Sequence, residues 1–306
     1  MSTAVKPIDT RALDRSSGNF ALIDTLRKWG VTFFSGVNGG GLIHVTKHLE
    51  PFLGLRHSGD RVPRMQTMGE YVDSLKFAGG SFTLMPQDAL KEIIDLAHRF
   101  NVMVSTGGFI EHVLTQGPEV VDQYIKECRN VGFDILEISS GFITIPTDDW
   151  LRLVEKVQKT GLKAKPEVGI QFGAGGATTA EELEAEGTRD VDWAIGQARR
   201  FLEAGAYMIM IESEGITENV KTWRTDAAAK IIGALGLEKV MFEAADPEVF
   251  AWYIKNYGAE VNVFVDHSQI VQLECLRSGI WGTKSLWGRI KTFKETGRVP
   301  SAPDQE

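Results

Sequence analysis

From residue 86 onward, amphipathic helical patterns alternate with short runs of β-branched and apolar residues. Helical segments such as QDALKEIIDLAHRF after Pro86 and DDWLRLVEKVQ after Thr147 repeat their apolar residues every three or four positions. This alternation predicts βα units around a buried parallel sheet. Five glycines each follow a helical pattern and precede a predicted strand, and we interpret them as C-cap glycines. They are Gly132, Gly161, Gly205, Gly236 and Gly258.

The apolar runs predict eight strands, at residues 31–37, 74–80, 102–108, 134–141, 162–169, 207–214, 240–246 and 261–268. Eight βα units in about 250 residues fit a (β/α)8 TIM barrel, and an open doubly wound sheet is the alternative. The predicted organisation is one α/β domain over residues 1–306. It has an N-terminal extension at 1–18, an insertion at 173–190 and a C-terminal tail at 281–306.

Two regions interrupt the alternation. Residues 173–190 begin with GAGG and become acidic, which indicates a solvated excursion. A phosphate-cradling loop is the alternative, but no Lys-Ser/Thr pair follows the glycines. Residues 54–73 contain a cluster of basic side chains, which indicates either a plain surface connection or a lid that steers anions.

The composition indicates which partners and which cellular location to expect. The chain has 306 residues, of which 43% are hydrophobic, and a net charge of -8, which argues against nucleic-acid and anionic-membrane partners. Both cysteines, Cys128 and Cys275, lie in helical patterns, and we interpret them as core residues rather than disulfide or metal ligands. No apolar signal segment or run of 18 apolar residues occurs, so we expect a cytoplasmic protein, and we also expect a homo-oligomer.

Four glutamates stand late in predicted strands: Glu137 in DILEISSG, Glu167 in KPEVG, Glu212 in MIMIESEG and Glu243 in VMFEAAD. The carboxyl ends of barrel strands meet at one mouth, where four carboxylates would repel one another unless positive charge lay between them. Mg²⁺ is the expected ion, because it accepts carboxylates and no His and Cys cluster with zinc spacing is present. The alternative is that the glutamates form buried ion pairs with lysines at 76, 163 or 165.

Two further positions suggest anion chemistry. Lys76 interrupts the apolar strand SLKFAGGS, so it must either reach a carboxylate or titrate with a lowered pKa, and it is a candidate acid/base or anion ligand. His267 and Ser268 follow the last predicted strand and precede a helix. The last loops of a barrel often hold phosphate at a helix N-terminus, so the backbone at His267, Ser268 and Gln269 is the predicted phosphate seat.

Several segments together resemble the phosphosulfolactate synthase family over roughly residues 65–280, and they are most similar to its heat-stress-associated branch. They include KFAGGSFTLMP, VSTGGFIEH, GFDILEISSGFITIP, KPEVG, LEAGAYMIMIESEG, GLEKVMFEAADP and VNVFVDHSQIVQLECLRSG. The resemblance implies a (β/α)8 barrel and a magnesium-dependent addition of sulfite to phosphoenolpyruvate. The product is 2-phospho-3-sulfolactate, an intermediate of coenzyme M biosynthesis.

The resemblance also implies roles for individual residues. It assigns the four glutamates to a metal and the polar mouth, and Lys76 to acid catalysis or carboxylate binding. Arg277 matches a family arginine and is expected to bind substrate. We further expect Lys165 to be catalytic, and Ser139 and Ser140 to contact the substrate.

The chain departs from the family pattern where that pattern carries basic residues. It reads FFSGVNGGG where the synthases have a motif like IDKG, ESEGITENV where they have one like EGRESG, and ADPEV where lysines follow EAP. Several positive partners for two anionic substrates are therefore missing at these positions. The candidates to replace them are Arg56, Arg61, Arg64, Lys165 and Lys221. A barrel that has lost the reaction and acts through a protein partner is the second hypothesis.

Overall fold

The computed structural model describes residues 68–171, 179–186, 190–244 and 246–279. All of these residues belong to one compact unit that begins at Met68. The predicted strand at 31–37, the extension at 1–18 and the tail at 281–306 lie outside the described residues. The single-domain organisation over 1–306 therefore stays a prediction.

The described part of the chain contains a seven-stranded parallel sheet whose strands are neighbours in chain order, β1-β2-β3-β4-β5-β6-β7. The strands are β1 Ser74–Lys76, β2 Met103–Ser105, β3 Ile135–Ile138, β4 Lys163–Val168, β5 Ile209–Ile211, β6 Val240–Glu243 and β7 Val263–Phe264. Each lies inside one of the predicted strands. Sequential order with parallel pairing is the topology of a βα barrel.

Helices connect the strands on the outside of the sheet. They are α1 Gln87–Arg99, α2 Ile110–Leu114, α3 Pro118–Val131, α4 Thr147–Lys159, α5 Ala180–Glu186, α6 Val191–Glu203, α7 Thr225–Leu235, α8 Pro247–Tyr257 and α9 Ile270–Arg277. Short 3-10 helices cover Gly69–Tyr71, Ala78–Leu84, Gly107–Phe109, Leu237–Lys239 and His267–Gln269.

The predicted helix boundaries agree with these elements. α1 and α4 begin directly after Pro86 and Pro146, and α8 carries Pro247 in its first turn, where a missing N–H costs no helical hydrogen bond. The five predicted C-cap glycines all have positive φ. At Gly132 this left-handed conformation lets its N–H bond to the carbonyls of Cys128 and Arg129, which ends α3.

Within the predicted insertion at 173–190, the described residues form α5. Thr179 and Glu182 cap its first turn reciprocally, because each side chain accepts a hydrogen bond from the other's backbone N–H. The GAGG segment lies outside the described residues, so neither interpretation of it is tested.

Alternating strand residues divide into two sets. The set facing the helices is apolar and buried, and includes Val104, Leu136, Ala164, Ile211 and Phe242. The helices bury apolar residues against this face, among them Ile94, Ile125, Val154 and Phe201. The core therefore lies between the sheet and the helical layer, and the prediction that Cys128 is a core residue is confirmed, whereas Cys275 is only half-buried.

The opposite face of the sheet carries polar and charged residues, and the sheet curls around them. Lys76 on β1 and Glu243 on β6 are separated by five strand spacings, about 24 Å in a flat sheet. Their side chains nevertheless form a hydrogen bond of 3.2 Å. Only a curled sheet brings them together, so the architecture is an α/β barrel of TIM type rather than an open sheet.

No described helix combines the length and the apolar character that crossing a membrane requires.

Candidate active site

Lys76, the last residue of β1, lies at the centre of a group of carboxylates. Its Nζ is 2.8 Å from Glu137 Oε1, 3.2 Å from Glu243 Oε1 and 4.0 Å from Glu167 Oε2. The ammonium also lies 4.5 Å from the centroid of the Phe264 ring, a cation–π distance. The four side chains come from β1, β3, β4 and β6, so the barrel brings together residues that are far apart in the sequence.

Glu137 is held by a second lysine. Lys165 Nζ lies 3.0 Å from Glu137 Oε2, and both side chains are almost completely buried. The two residues are paired in register on β3 and β4, so their side chains point the same way, into the barrel. Lys163 lies two residues before Lys165 on the same face of β4, and it contacts Met103 Sδ and the Tyr207 ring instead. We name the group formed by Lys76, Glu137, Lys165, Glu167, Glu212 and Glu243 the inner charge layer.

The lysines decide the charge state of Glu137. Burial alone would raise its pKa, but the ammonium groups of Lys76 and Lys165 outweigh burial and lower the pKa below its ordinary value. Burial likewise tends to lower the pKa of Lys76, but Glu137 first, then Glu243 and Glu167, raise the pKa well above its usual range. Of the two options predicted for Lys76, it is therefore contact with a carboxylate, and not a lowered pKa, that the structure shows.

The pKa values of Glu167 and Glu212 are raised, in contrast to that of Glu137. Burial raises the pKa of Glu167 to about 8, and the nearby carboxylates of Glu137, Glu243 and Glu111 add to the rise while Lys76 opposes it. Burial, Glu243 and Glu167 raise the pKa of Glu212 well above its ordinary value. Glu167 therefore holds a proton at neutral pH, and Glu212 keeps its proton to a higher pH than an exposed glutamate does.

Glu212 lies directly after β5, at the mouth of the barrel. Its Oε1 accepts hydrogen bonds from the backbone N–H groups of Ser213 at 2.8 Å and Glu214 at 3.1 Å. The pairing of β5 with β6 places Glu212 next in line beside Glu243. Two carboxylates thus lie side by side where the strands end.

The inner charge layer has more acids than bases. Its four carboxylates face two ammonium groups, so it would carry two surplus negative charges if every group were ionised. Protons on Glu167 and Glu212 are one way to balance that charge, and a divalent cation that replaces them is the other. Mg²⁺ commonly uses one or two carboxylates together with water and substrate oxygens. The pair Glu212 and Glu243 fits this donor set, although no group of three or more His, Cys, Asp or Glu residues in the described ranges is arranged as a metal site.

Glu137 does not fit its predicted metal role as well. Each of its carboxylate oxygens already lies within 3.0 Å of an ammonium nitrogen. For this residue the arrangement favours the alternative of a buried ion pair.

Ser139 and Ser140 follow β3 at the mouth. Ser139 is buried, and its hydroxyl donates to Glu111 Oε1 at 2.6 Å, while Ser140 is half-buried. Their predicted contact with substrate stays a prediction. Glu111 was not singled out from the sequence, because nothing local to FIEH shows that its side chain turns toward the loop after β3.

The predicted phosphate seat is already occupied within the chain. Asp266 accepts a hydrogen bond from the N–H of Ser268 at 2.8 Å and forms a capping box with Gln269. His267 Nδ1 lies 3.4 Å from the same carboxylate. A phosphate at these N–H groups would have to displace a negative side chain, so the geometry does not favour this location.

Arg277 does not join the inner charge layer. Its Nη2 donates to the carbonyl of Val261 at 2.7 Å, just before β7 begins. The glutamates cluster where the strands end, so Arg277 lies at the opposite end of the barrel. The bond links α9 to the segment that precedes β7, and the predicted contact of Arg277 with substrate stays a prediction.

Comparisons with known proteins identify relatives of the chain. A family model described as (2R)-phospho-3-sulfolactate synthase (ComA) matches residues 23–283. Protein HEAT-STRESS-ASSOCIATED 32 of Arabidopsis thaliana is 41% identical over 222 residues, which cover 69% of this chain and 78% of that protein. Phosphosulfolactate synthase of Methanothermobacter thermautotrophicus is 27% identical over 225 residues, covering 71% of this chain and 83% of the synthase. The corresponding synthase of Methanocaldococcus jannaschii is 25% identical over 229 residues, covering 71% and 85%.

Proposed function

The chain belongs to the (2R)-phospho-3-sulfolactate synthase family, and we propose that it catalyses the magnesium-dependent addition of sulfite to phosphoenolpyruvate, giving 2-phospho-3-sulfolactate. Family membership supports a carbon–sulfur lyase. The observation that carries the proposal furthest is the inner charge layer, because a lysine and surplus carboxylates converge where barrel enzymes place their reacting groups.

The reaction creates negative charge that the site must stabilise. Sulfite forms a carbon–sulfur bond to C3 of phosphoenolpyruvate, and the π electrons move to C2 and into the carboxylate. A proton then bonds to C2. Groups that stabilise this charge as it develops lower the barrel enzyme's activation free energy most effectively when they are preorganised in a dry site.

Lys76 suits charge stabilisation better than proton donation. Its pKa is raised by the surrounding carboxylates, so the ammonium keeps its proton at neutral pH. Of the two roles implied by the family resemblance, carboxylate binding is therefore favoured over acid catalysis. Glu137 and Lys165 hold Lys76 in place from below, since Glu137 pairs with both ammonium groups.

Glu167 is the better candidate for the proton donor. A pKa of about 8 keeps it protonated at neutral pH and close to the pH at which general acids are most effective. Its Oε2 is 4.0 Å from Lys76 Nζ, so acid and ammonium reach the same substrate. This assignment moves acid catalysis from Lys76 to a carboxyl.

Glu212 and Glu243 would hold the Mg²⁺ ion. Bound there, the ion would supply positive charge opposite the anionic substrate. The two lysines of the layer are already balanced by carboxylates, so they would add little further attraction. Cation binding would favour the ionised form of Glu212, against burial and the neighbouring carboxylates, which raise its pKa.

Phosphorus NMR tests the reaction directly. The protein is mixed with phosphoenolpyruvate, sulfite and Mg²⁺, with an archaeal phosphosulfolactate synthase in parallel as the positive control. We expect the vinyl phosphate signal to be replaced by that of a saturated phosphate ester, and the change to require both sulfite and the metal. Lys76→Met should lower turnover by about 10²–10³-fold, as loss of one charge-stabilising donor does, while Lys91→Met on the exposed face of α1 should not.

The second candidate function is a barrel that acts through a protein partner. The absence of family basic residues at ESEGITENV and ADPEV favours it, as does the similarity to a heat-stress-associated protein. A folded protein that gives no product beside an active control, with no shift in melting temperature on adding phosphoenolpyruvate and Mg²⁺, would support this candidate. The expected cytoplasmic location, homo-oligomer and absence of nucleic-acid or membrane partners stay predictions.

A further inference from the structure

We propose that Glu111 is a positioning residue that fixes the loop after β3, residues 139–142, at the mouth of the barrel. The proposal deepens the proposed function and rests on it for its kinetic readout. Its structural readout is independent of any reaction.

The carboxylate of Glu111 is saturated by donors from this loop. Oε1 accepts the hydroxyl of Ser139 at 2.6 Å and the N–H of Gly141 at 3.1 Å, and Oε2 accepts the N–H of Phe142 at 2.7 Å. Glu111 is only 8% exposed. Three hydrogen bonds to this buried carboxylate define the positions of Ser139, Gly141 and Phe142 in the loop, and bonds to a carboxylate acceptor are among the strong ones.

The two ends of the loop differ in their other contacts. Phe142 is 65% exposed, so its ring is not anchored by packing. Ser139 approaches the chain after β2 closely, because its hydroxyl also lies 3.3 Å from the carbonyl of Gly108. A Cβ on Gly108 would lie 2.6 Å from that hydroxyl, so the close approach requires glycine there. The exits of β2 and β3 are thus joined through Glu111 and Gly108.

The contact between Glu111 and the loop at 139–142 lies close to the residues proposed to carry the reaction. Ser139 follows Glu137 by two residues on the inward side, directly above the inner charge layer. Glu111 is also close enough to Glu167 to contribute to its raised pKa. A shift of the loop would therefore move groups that border the substrate, and displacements of about 1 Å can lower turnover about 10²-fold.

Two substitutions at Glu111 separate the effect of its carboxylate from the effect of its side-chain volume. Glu111→Gln keeps the size but has one acceptor oxygen, so its amide NH₂ would face the N–H of Phe142 or Gly141, donor against donor. Glu111→Ala removes the carboxylate and leaves room for a small one. Formate therefore has a place to bind in Glu111→Ala and none in Glu111→Gln. Glu119→Ala on the exposed first turn of α3 is the matched control.

Hydrogen exchange and kinetics test the proposal together. We expect amide exchange in the peptide covering 139–143 to accelerate at least tenfold in both Glu111 variants, and formate to slow it again in Glu111→Ala alone. We expect kcat to fall more than KM rises, with partial recovery by formate in the same variant. Glu119→Ala should match the wild-type protein in both measurements.

The outcomes are separable. Unchanged exchange at 139–143 in Glu111→Gln would overturn the proposal whether or not the protein has synthase activity. Faster exchange with full activity would overturn the positioning role and leave only a structural one. If Glu111→Ala does not fold, Ser139→Ala and Glu111→Gln decide the question, since each removes only part of the network. An inactive wild-type protein would count against the proposed function, while the exchange result would still support or overturn the joint itself.

Discussion

Lys165 on β4 and Glu137 on β3 are paired in register on neighbouring strands, with Lys165 Nζ 3.0 Å from Glu137 Oε2 in an almost fully buried setting. TIM barrels usually fill this interior with branched apolar side chains. Here the same inward positions carry an ion pair whose carboxylate also binds Lys76. The barrel interior below the mouth is therefore held together by charge, and its geometry depends on that charge being complete.

Glu137→Gln should destabilise the protein strongly. The substitution leaves two buried ammonium groups without their shared carboxylate, and breaking a buried ion pair from one side typically costs about 3–5 kcal/mol. Denaturant unfolding measures the loss. Lys165→Met should lower the free energy of unfolding less, because Glu137 would still be paired with Lys76. Equal losses in the two variants would contradict the central place given to Glu137.

The stability of the protein should fall as the pH rises from moderately acidic to mildly alkaline. Glu167 titrates near its ordinary 4.5 in the unfolded chain and at about 8 in the folded protein. Between these values the folded state holds more protons. The stabilising contribution is complete below 4.5 and is lost as the pH passes 8, with a slope of up to about 1.4 kcal/mol per pH unit for one group.

Glu167→Gln removes this slope if Glu167 is its source. Melting temperatures of both proteins between pH 5 and pH 9 make the comparison, with Glu203→Gln on the exposed face of α6 as the control. We expect a flatter profile in Glu167→Gln and an unchanged one in Glu203→Gln. Parallel profiles in all three proteins would show that Glu167 ionises normally in the folded state.

Ser105→Ala should leave the protein as stable as before or raise the free energy of unfolding by about 1 kcal/mol. Ser105 is completely buried, and its hydroxyl has no hydrogen-bond partner among the described residues, so it carries a desolvation cost without compensation. Ser139→Ala is the matched comparison, because that buried hydroxyl bonds to a carboxylate and its loss should destabilise. A clear loss of stability in Ser105→Ala would mean that the hydroxyl has a partner.

The sequence predicted the fold and the convergence of the glutamates, but not the balance of charges among them. Parallel strands separated by helices end at one mouth, so glutamates late in four strands had to converge, and Glu137, Glu167 and Glu243 do contact Lys76. Side-chain periodicity sets which residues face inward. Periodicity does not show whether a lysine or a metal ion neutralises a given carboxylate, because that depends on distances across the barrel.

Other site residues were beyond local sequence patterns for a different reason. Glu111 accepts a hydrogen bond from Phe142, which is 31 positions away in the sequence, and no motif encodes that contact. Arg277 follows a family motif, yet its guanidinium bonds to a backbone carbonyl at the far end of β7. At the predicted phosphate seat, the sequence did not show that the Asp266 side chain accepts the hydrogen bond from the N–H of Ser268.

The central claim is that surplus carboxylates at the mouth bind a divalent cation, and calorimetric titration with Mg²⁺ tests it most directly. Titrations at pH 7 in two buffers of different ionisation enthalpy give both the affinity and the protons released. We expect binding to release protons, because burial and the neighbouring carboxylates raise the pKa of Glu212, one of the two expected ligands. Proton release should decrease as the pH rises, and Glu243→Gln should weaken binding at least tenfold while Glu203→Gln does not. Absence of binding at millimolar Mg²⁺, or binding without proton release that persists in Glu243→Gln, would contradict the claim.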